Sequence, residues 1–291
     1  MSEAPFGLSA EQQRQFTDTG VLVLPGFYSH TEVDGLRDRM DKMVDAFDPD
    51  SVSTVFSTTD RQHDEDEYFL TSGDTVRFFF EEGAHGDDGT LRVPKHEALN
   101  KVGHAMHDLD PVFSGFSRKP ELAAVARDIG FVDPLLLQSM YIFKQPRIGG
   151  EVVWHTDHPF LWTEPRSVVG FWVALEDATV ENGCLWCLPG KHRLPAKQRF
   201  RRTTSGNGTT MDTLDDSPFP EDEGVPLEAE KGTLVLIDGL LPHWSAPNTS
   251  DRSRHAYTLH VIDGTANYPS DNWLQRSPEL PLRGFSPSPA S

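Results

Sequence analysis

Hydrophobic and polar positions follow one period in the first part of the chain and another period after about residue 135. Ser9 and Ser29 are each followed three positions later by Gln or Glu, which is the spacing of a capping box that opens a helix. After Ser29 the apolar residues recur at helical spacing and predict one buried stripe, formed by Val33, Leu36, Met40, Met43, Val44 and Phe47. The apolar run GVLVLPGF between the two helices predicts a short strand closed by a turn.

The remainder of the first part predicts more helix than strand. VRFFF, residues 76–80, is typical of a buried strand and follows a polar, irregular stretch over residues 48–75. A third helix is expected to place one set of residues inward, namely Leu99, Val102, Met106 and Leu109. Its polar face would leave His104 and His107 exposed. A fourth helix begins at Pro120 and ends near Gly130, with Leu122, Val125 and Ile129 inward. We therefore expect a mostly helical N-terminal half.

The second part of the chain consists of short β-type runs separated by Gly, Pro, Asn and Asp clusters. The runs are LLLQSMYIFKQ, VVGFWVALEDA, GCLWCLPG, GTLVLIDG and RHAYTLHVID. No helical pattern of ten or more residues interrupts them, which disfavours a parallel βαβ sheet and favours a sandwich or barrel. The expected fold class is mainly β with a helical N-terminal half and a jelly-roll core. A polar insertion is expected over residues 207–224.

The expected organisation is one domain over residues 1–291. It consists of a helical preface over about 1–134, a jelly-roll core over about 135–265 and a loose tail over 281–291.

Charge and composition narrow the class of protein. The 291 residues include 45 Asp or Glu and 26 Lys or Arg, a formal charge of -19, which disfavours a nucleic-acid partner. A hydrophobic fraction of 37% indicates a chain that folds around a core. No apolar run approaches the roughly 18 to 20 residues of a membrane span, and the segment MSEAPFGLSAEQQRQF does not resemble a signal peptide, so we expect neither feature. Cys184 and Cys187 are the only cysteines, and they would face opposite ways in a strand, so we expect no redox pair and a reducing, cytoplasmic location.

The segment EVVWHTDHPF carries the first chemical signal. His155 and Asp157 are two residues apart in an extended context, so both side chains would leave the same face of a strand. An imidazole and a carboxylate that project together are two ligands of a 2-His-1-carboxylate site, which leaves three adjacent positions on iron open. Alone, the pair also fits an ordinary polar strand, and His158 is expected to line a pocket mouth rather than to bind metal.

A second segment supplies what such a site would still need. KGTLVLIDGLLPHWS runs from a turn through a buried strand into His243, and Arg254 follows about ten residues later. A guanidinium pairs with a carboxylate through two charge-assisted hydrogen bonds, each contributing about 1.5 to 3 kcal/mol when sheltered, and lysine cannot reproduce that geometry. Arg252 lies on the same strand parity, so periodicity alone leaves both arginines open.

The chain resembles the phytanoyl-CoA dioxygenase family along nearly its whole length. The segments that carry the resemblance include DTGVLVLPGFYS, YFLTSGDTVRFFFEEG, NKVGHAMHDLDPVF, QSMYIFKQPRIGGEV, HTDHPFLWTEP, LEDATVENGCLW, LPGKH and SDRSRHAYTLH. The resemblance implies a cupin-like double-stranded β-helix, O2 as oxidant, Fe(II) held by His155, Asp157 and His243, and 2-oxoglutarate anchored by Arg254. It further implies co-substrate contacts from Lys101, Met140, Thr156, Trp172 and Ser245. Trp154 and Thr156 depart from the family pattern, in which Pro and Gln are usual.

The implied activity is hydroxylation of an unactivated C–H bond of a small organic substrate, with release of succinate and CO2. A catalytically silent module that binds metal and 2-oxoglutarate is an alternative, as is a different metal reaction such as isomerisation. The substrate could be a CoA ester, a free acid or a natural product. The basic run from Lys191 to Arg202 fits either a solvated loop or a grip for CoA phosphates. The sequence predicts neither a membrane partner nor an oligomeric state.

Overall fold

The structure is a computed structural model that describes residues 7–51, 67–86, 89–204 and 208–286. Most of its regular structure is β-sheet. The helices are α1 (Ala10–Thr19), α2 (His30–Ala46), α3 (Glu67–Leu70), α4 (Met106–Leu109), α5 (Pro111–Ser117) and α6 (Pro120–Asp128). The strands are β1 (Val21–Leu24), β2 (Val76–Phe80), β3 (Leu99–His104), β4 (Pro134–Ile142), β5 (Val152–His155), β6 (Val169–Ala174), β7 (Leu185–Cys187), β8 (Gln198–Arg202), β9 (Thr209–Thr213), β10 (Val225–Leu227), β11 (Leu234–Asp238), β12 (His243–Ser245) and β13 (Ala256–Asp263).

Two sheets position the candidate site. A seven-stranded sheet has the order β1-β11-β6-β13-β4-β3-β2, and a four-stranded sheet has the order β10-β7-β12-β5. Neighbouring strands in both sheets run antiparallel. A separate pair, β8 and β9, forms a hairpin. This arrangement places strands from the first 104 residues in the same sheet as strands from the second half of the chain.

The seven-stranded sheet has two different faces because successive side chains on a strand alternate. Tyr257 and Leu259 of β13 join a hydrophobic core that includes Leu36 and Met40 of α2. Residues of the opposite parity face the four-stranded sheet, where a second cluster includes Trp172, Ala174, Leu185 and Cys187. The helices therefore cover one face, and the candidate site lies between the two sheets.

Several local predictions are confirmed. Ser9 and Ser29 both form complete capping boxes at the starts of α1 and α2. The GVLVLPGF run contains β1, and the VRFFF run is β2. The fourth predicted helix is α6, and its Leu122 and Val125 are buried. Cys184 and Cys187 are buried free thiols, and burial raises their pKa values to about 11 and about 12.

The predicted third helix is wrong, whereas the mostly helical N-terminal half is confirmed, because all six α-helices of the described residues lie within residues 10–128 and only three short strands do. Residues 99–104 form β3, which pairs with β2 on one side and β4 on the other, and only then does the short α4 begin. His104 and His107 are buried instead of exposed, whereas Leu109 is 49% exposed. A strand that is covered on both faces loses the alternation of polar and apolar residues, so its apolar spacing resembled that of a helix.

Three stretches predicted as irregular are partly ordered. In the polar insertion, residues 209–213 form β9. Within the predicted tail, Phe285 packs into the core and Arg283 contacts Asp108, while residues 287–291 lie outside the described ranges. Of the stretch over 48–75, residues 67–70 form α3, and residues 52–66 also lie outside the described ranges.

The basic run Lys191–Arg202 is not a free loop, because it contains a short 3-10 helix and β8. Five of its basic side chains pair with Asp or Glu, namely Lys191 with Glu223, Arg193 with Asp18, Lys197 with Asp215, Arg199 with Asp271 and Arg201 with Asp212. In the parts of the chain that the structure describes, no helix is both long enough and apolar enough to cross a bilayer.

Candidate metal centre

Three predicted ligands converge between the two sheets. His155 ends β5 and His243 begins β12, and the two residues are direct partners in the antiparallel register. Of the two residues predicted to share a strand face, only His155 lies on β5. Asp157 follows in the bend after the strand, and the bend brings its carboxylate to the same side as His155. One ligand atom from each residue lies within 4.8 Å of the other two. Among the described residues this is the one such group of three His, Cys, Asp or Glu side chains.

Backbone carbonyls fix both imidazole rings. Nδ1 of His155 lies 2.8 Å from the carbonyl oxygen of Val153, and Nδ1 of His243 lies 2.9 Å from that of Leu241. A carbonyl oxygen only accepts hydrogen bonds, so each Nδ1 carries the hydrogen and each Nε2 keeps a free lone pair. Both Nε2 atoms lie 3.8 Å from Oδ1 of Asp157. That separation is too long for a hydrogen bond and leaves the three ligand atoms facing a common point.

Protonation favours the same arrangement. Burial, followed by the neighbouring His243, lowers the pKa of His155 to about 4, so this imidazole is neutral near pH 7. Burial alone would raise the pKa of Asp157, but the charges of His260 and His243 and a hydrogen bond from His260 hold that pKa well below its usual range. Two imidazole Nε2 atoms and one carboxylate form a donor set that suits non-haem Fe(II), so the residues present fit that ion.

A second layer of polar residues holds Asp157. Its Oδ2 lies 3.1 Å from Nε2 of His260, and Nδ1 of His260 lies 3.1 Å from the side-chain nitrogen of Gln138. Gln138 and His260 are partners in the register of β4 and β13. Sequence reasoning missed both residues, and the signal was two long polar side chains in strands that are otherwise apolar. Since His260 occupies Oδ2, Oδ1 is the oxygen that faces the common point.

Arg254 lies two residues before the start of β13 and is buried, with its Nε 3.1 Å from the carbonyl oxygen of Gly183. Its guanidinium carbon is 5.7 Å from the ring centroid of Trp172. Burial lowers the pKa of Arg254 to about 10, which still leaves it charged near pH 7. Arg252, which periodicity left open, is exposed. A buried cation therefore lies just before the strand that carries His260.

The other predicted contact residues lie on strands around this point, except Thr156. Met140 and Trp172 flank Thr258 in the sheet, on β4 and β6. Ser245 is buried on β12, two residues after His243. Thr156 is buried between His155 and Asp157 in the sequence. Lys101 of β3 is buried, and its Nζ lies 5.5 Å from the ring centroid of Phe79. Burial lowers the pKa of Lys101 to about 7.

His158 is buried, and its ring packs at a tilt against Trp162, with the two ring centroids 4.5 Å apart. Together with Arg166 and Asp238 it lines a small cavity.

Comparisons with known proteins agree with this arrangement. The family model for phytanoyl-CoA dioxygenase (PhyH) matches residues 16–256. Phytanoyl-CoA dioxygenase 1 of Oryza sativa subsp. japonica is 48% identical over 280 residues, which cover 94% of this chain and 97% of the rice protein. Phytanoyl-CoA dioxygenase domain-containing protein 1 of Danio rerio is 44% identical over 286 residues, which cover 94% and 97%.

Solved structures share the fold at low identity. EctD from S. alaskensis, solved with 2-oxoglutarate and 5-hydroxyectoine, matches with a TM-score of 0.62 and 20% identity over 92% of this chain and 81% of that chain. The same protein with bound Fe matches with a TM-score of 0.63 and 21% identity over 95% and 84%. The sequence match extends over nearly all of the chain and includes the segments that carry His155, Asp157 and His243. The chain belongs to the phytanoyl-CoA dioxygenase family.

Proposed function

We propose that this protein is an Fe(II)- and 2-oxoglutarate-dependent dioxygenase with a jelly-roll core, and that it hydroxylates an unactivated C–H bond of a small organic substrate. His155, Asp157 and His243 hold the iron, and Arg254 anchors the far carboxylate of 2-oxoglutarate. The observation that carries the proposal is the convergence of two free Nε2 lone pairs and Oδ1 of Asp157 on one point. Family membership supports it, and so do the 2-oxoglutarate and the Fe in the EctD structures.

The residues of the chain do three kinds of work in this reaction. His155, Asp157 and His243 would hold the iron, and as only three protein ligands they would leave it able to bind 2-oxoglutarate and O2 as well. His260 keeps the carboxylate of Asp157 turned so that one oxygen points inward. The apolar walls around Trp172 and Met140 exclude bulk water and shield the site from side reactions.

The bound groups supply the oxidation itself. When iron and 2-oxoglutarate are bound, one oxygen atom of O2 is incorporated into the C–H bond and the other into succinate, with release of CO2.

Arg254 binds the far carboxylate because its guanidinium is charged, buried and therefore weakly screened. A small-molecule substrate is consistent with the oxygenase family to which the chain belongs. Since five basic side chains of the run Lys191–Arg202 already pair with acidic residues, that run offers little free charge for CoA phosphates.

Spectroscopy and product analysis test the proposal together. Anaerobic addition of Fe(II) and then 2-oxoglutarate to the metal-free protein should produce the weak visible charge-transfer band of an iron chelate. Aerobic incubation should then release succinate. In His155→Ala and Asp157→Ala proteins, we expect the band to vanish and succinate release to fall to the level of iron without protein, because each change removes a ligand.

Circular dichroism on the same variants provides the control, since loss of a ligand should leave the two sheets intact. Variants that release as much succinate as the parent protein would show that the iron lies elsewhere. Release that does not depend on 2-oxoglutarate would point to a different metal reaction.

A further inference from the structure

Lys144 is a buried lysine in an unusual backbone conformation. It lies two residues after the end of β4, its φ is 41°, and it is 3% exposed. Long side chains seldom adopt a positive φ, and lysines are seldom fully buried. Both features persist only where the surroundings enforce them, and such residues concentrate at binding sites.

The hydrogen bonds of Lys144 join it to the two segments that carry the proposed anion contacts. Its Nζ donates to Oγ of Ser245 at 2.9 Å and to the carbonyl oxygen of Gly150 at 2.5 Å. Its own carbonyl oxygen accepts from the backbone N–H of Arg254 at 3.2 Å and from the side chain of Asn248 at 3.0 Å. Lys144 is therefore bonded to Ser245 through its side chain and to Arg254 through its backbone.

Gly183 brings the two cations close together. Its φ is +81°, and a Cβ atom there would lie 2.8 Å from Cε of Lys144 and 2.7 Å from the carbonyl oxygen of Ala246. The carbonyl oxygen of Gly183 accepts from Nε of Arg254 at 3.1 Å. Only a residue without a side chain lets Lys144 and Arg254 pack against the same peptide.

Hydrogen-bond donors then determine the direction of the Ser245 hydroxyl. An ammonium group has three N–H donors and no acceptor, so Ser245 accepts from Lys144 and must donate its own hydrogen elsewhere. Burial, and then the charge of Arg254, lowers the pKa of Lys144 to about 7. An anion bound beside both cations offsets that repulsion and favours the charged form.

We propose that Lys144 is a positioning residue for the co-substrate: it turns the Ser245 hydroxyl toward the far carboxylate of 2-oxoglutarate and adds positive charge beside Arg254. This inference rests on the proposed function. It predicts that Lys144 contributes to binding only when the ligand carries that far carboxylate.

Two 2-oxo acids separate this role from a merely structural one. The anaerobic charge-transfer band of the Fe(II) protein is titrated with 2-oxoglutarate and with 2-oxopentanoate, which has the same chelating end and no far carboxylate. In Lys144→Met, we expect the dissociation constant for 2-oxoglutarate to rise about 10- to 100-fold, the effect of losing hydrogen bonds to a charged group. The constant for 2-oxopentanoate should change less than about threefold. Arg254→Lys should show the same selectivity, because it also acts on the far carboxylate.

A double-variant cycle tests the route through Ser245. If Lys144 acts through that hydroxyl, adding Lys144→Met to Ser245→Ala should weaken 2-oxoglutarate binding much less than it weakens binding by the parent. Lys119→Met is the matched control, since this lysine bonds Glu32 and lies on the helical side of the molecule. If Lys144→Met fails to fold, Lys144→Gln replaces it, because an amide keeps one donor and removes the charge.

Three outcomes overturn the inference. They are an unchanged affinity for 2-oxoglutarate, an equal loss for both acids, and fully additive effects of the Lys144 and Ser245 changes. A parent protein that gives no band with Fe(II) and 2-oxoglutarate would instead reject the proposed function, so the two failures are distinguishable.

Discussion

Two clusters in this molecule are built from the same kinds of side chain and differ in how those side chains are satisfied. In the first, Asp157 faces His155 and His243 across gaps of 3.8 Å. In the second, Asp108 is fully buried beside His107, whose Nε2 lies 3.2 Å from Oδ2. Both carboxylates have a pKa held well below the usual range. A depressed pKa and a nearby histidine therefore do not by themselves mark a metal site.

The two clusters differ in whether the carboxylate oxygens already accept hydrogen bonds from neighbouring side chains. Oδ1 of Asp108 accepts from Arg118 at 2.6 Å and from Arg283 at 2.7 Å, and Oδ2 contacts Arg276. Burial alone would raise the pKa of Asp108, but His107 and these guanidinium groups outweigh it. Asp108 forms a closed ion-pair cluster with Arg118, Arg276 and Arg283. By contrast, Oδ1 of Asp157 lies too far from either imidazole for a hydrogen bond. Unsatisfied acceptors that converge at bonding distance from one point distinguish a site that binds from a site that only stabilises.

The largest expected effect comes from disrupting the Asp108 ion-pair cluster. Asp108→Asn leaves three buried or partly buried guanidinium groups without their carboxylate, and we expect a loss of about 3 to 5 kcal/mol in the free energy of unfolding. Denaturant titration near pH 7 measures it. Asp157→Asn is the matched control, and it should abolish the iron chelate band while costing far less stability.

Acid pH provides an internal check on the same variant. The folded-state pKa of Asp108 is lowered, so its contribution to stability is complete above the unfolded value of about 3.9 and is lost as the pH falls below it. The gap in stability between the parent and Asp108→Asn should therefore narrow in acid. A gap that stays constant down to low pH would show that Asp108 stabilises by packing rather than by charge.

An intermediate effect is expected at the residue that links Asp157 to the sheet. Removing the imidazole in His260→Ala frees Oδ2 of Asp157, and we expect the affinity for Fe(II) to fall about 10- to 100-fold, as is typical when a partner of a metal ligand is lost. Competition with a chromophoric chelator measures the affinity. Thr258→Val, on the same face of β13, should leave it unchanged. Equal affinity in His260→Ala and the parent would mean that Asp157 needs no such support.

The smallest expected effect is at the exposed edge of the Asp108 ion-pair cluster. Arg283→Gln removes the guanidinium that is 33% exposed and leaves Arg118 and Arg276 in place, so we expect a loss of only about 1 kcal/mol in the free energy of unfolding. The same denaturant titration measures it. A loss as large as that of Asp108→Asn would show that the three arginines act as one cooperative unit.

The candidate metal centre was largely predictable from sequence because its chemistry is local and specific. His155 and Asp157 are two residues apart, and His243 follows a clear strand pattern. By contrast, Gln138 and His260 become partners only through the register of β4 and β13, which no local pattern encodes. Their roles therefore required the structure.

The Asp108 ion-pair cluster was not predictable for a related reason. Arg276 and Arg283 lie more than 160 residues away in sequence, and charged residues in loops resemble ordinary surface positions. His104 and His107 were misplaced because β3 is covered on both faces, so the usual alternation was absent. Local chemistry was easier to predict than long-range pairing.

The position of β1 has a practical consequence for work with shortened forms of the protein. It is the outermost strand of the seven-stranded sheet and pairs only with β11, from Val21 opposite Ile237 to Leu24 opposite Leu234. A fragment that begins after residue 25 would expose the bare backbone edge of β11, a template on which further molecules can stack into insoluble assemblies. Affinity tags and truncations are therefore better placed upstream of α1 than within the first two elements.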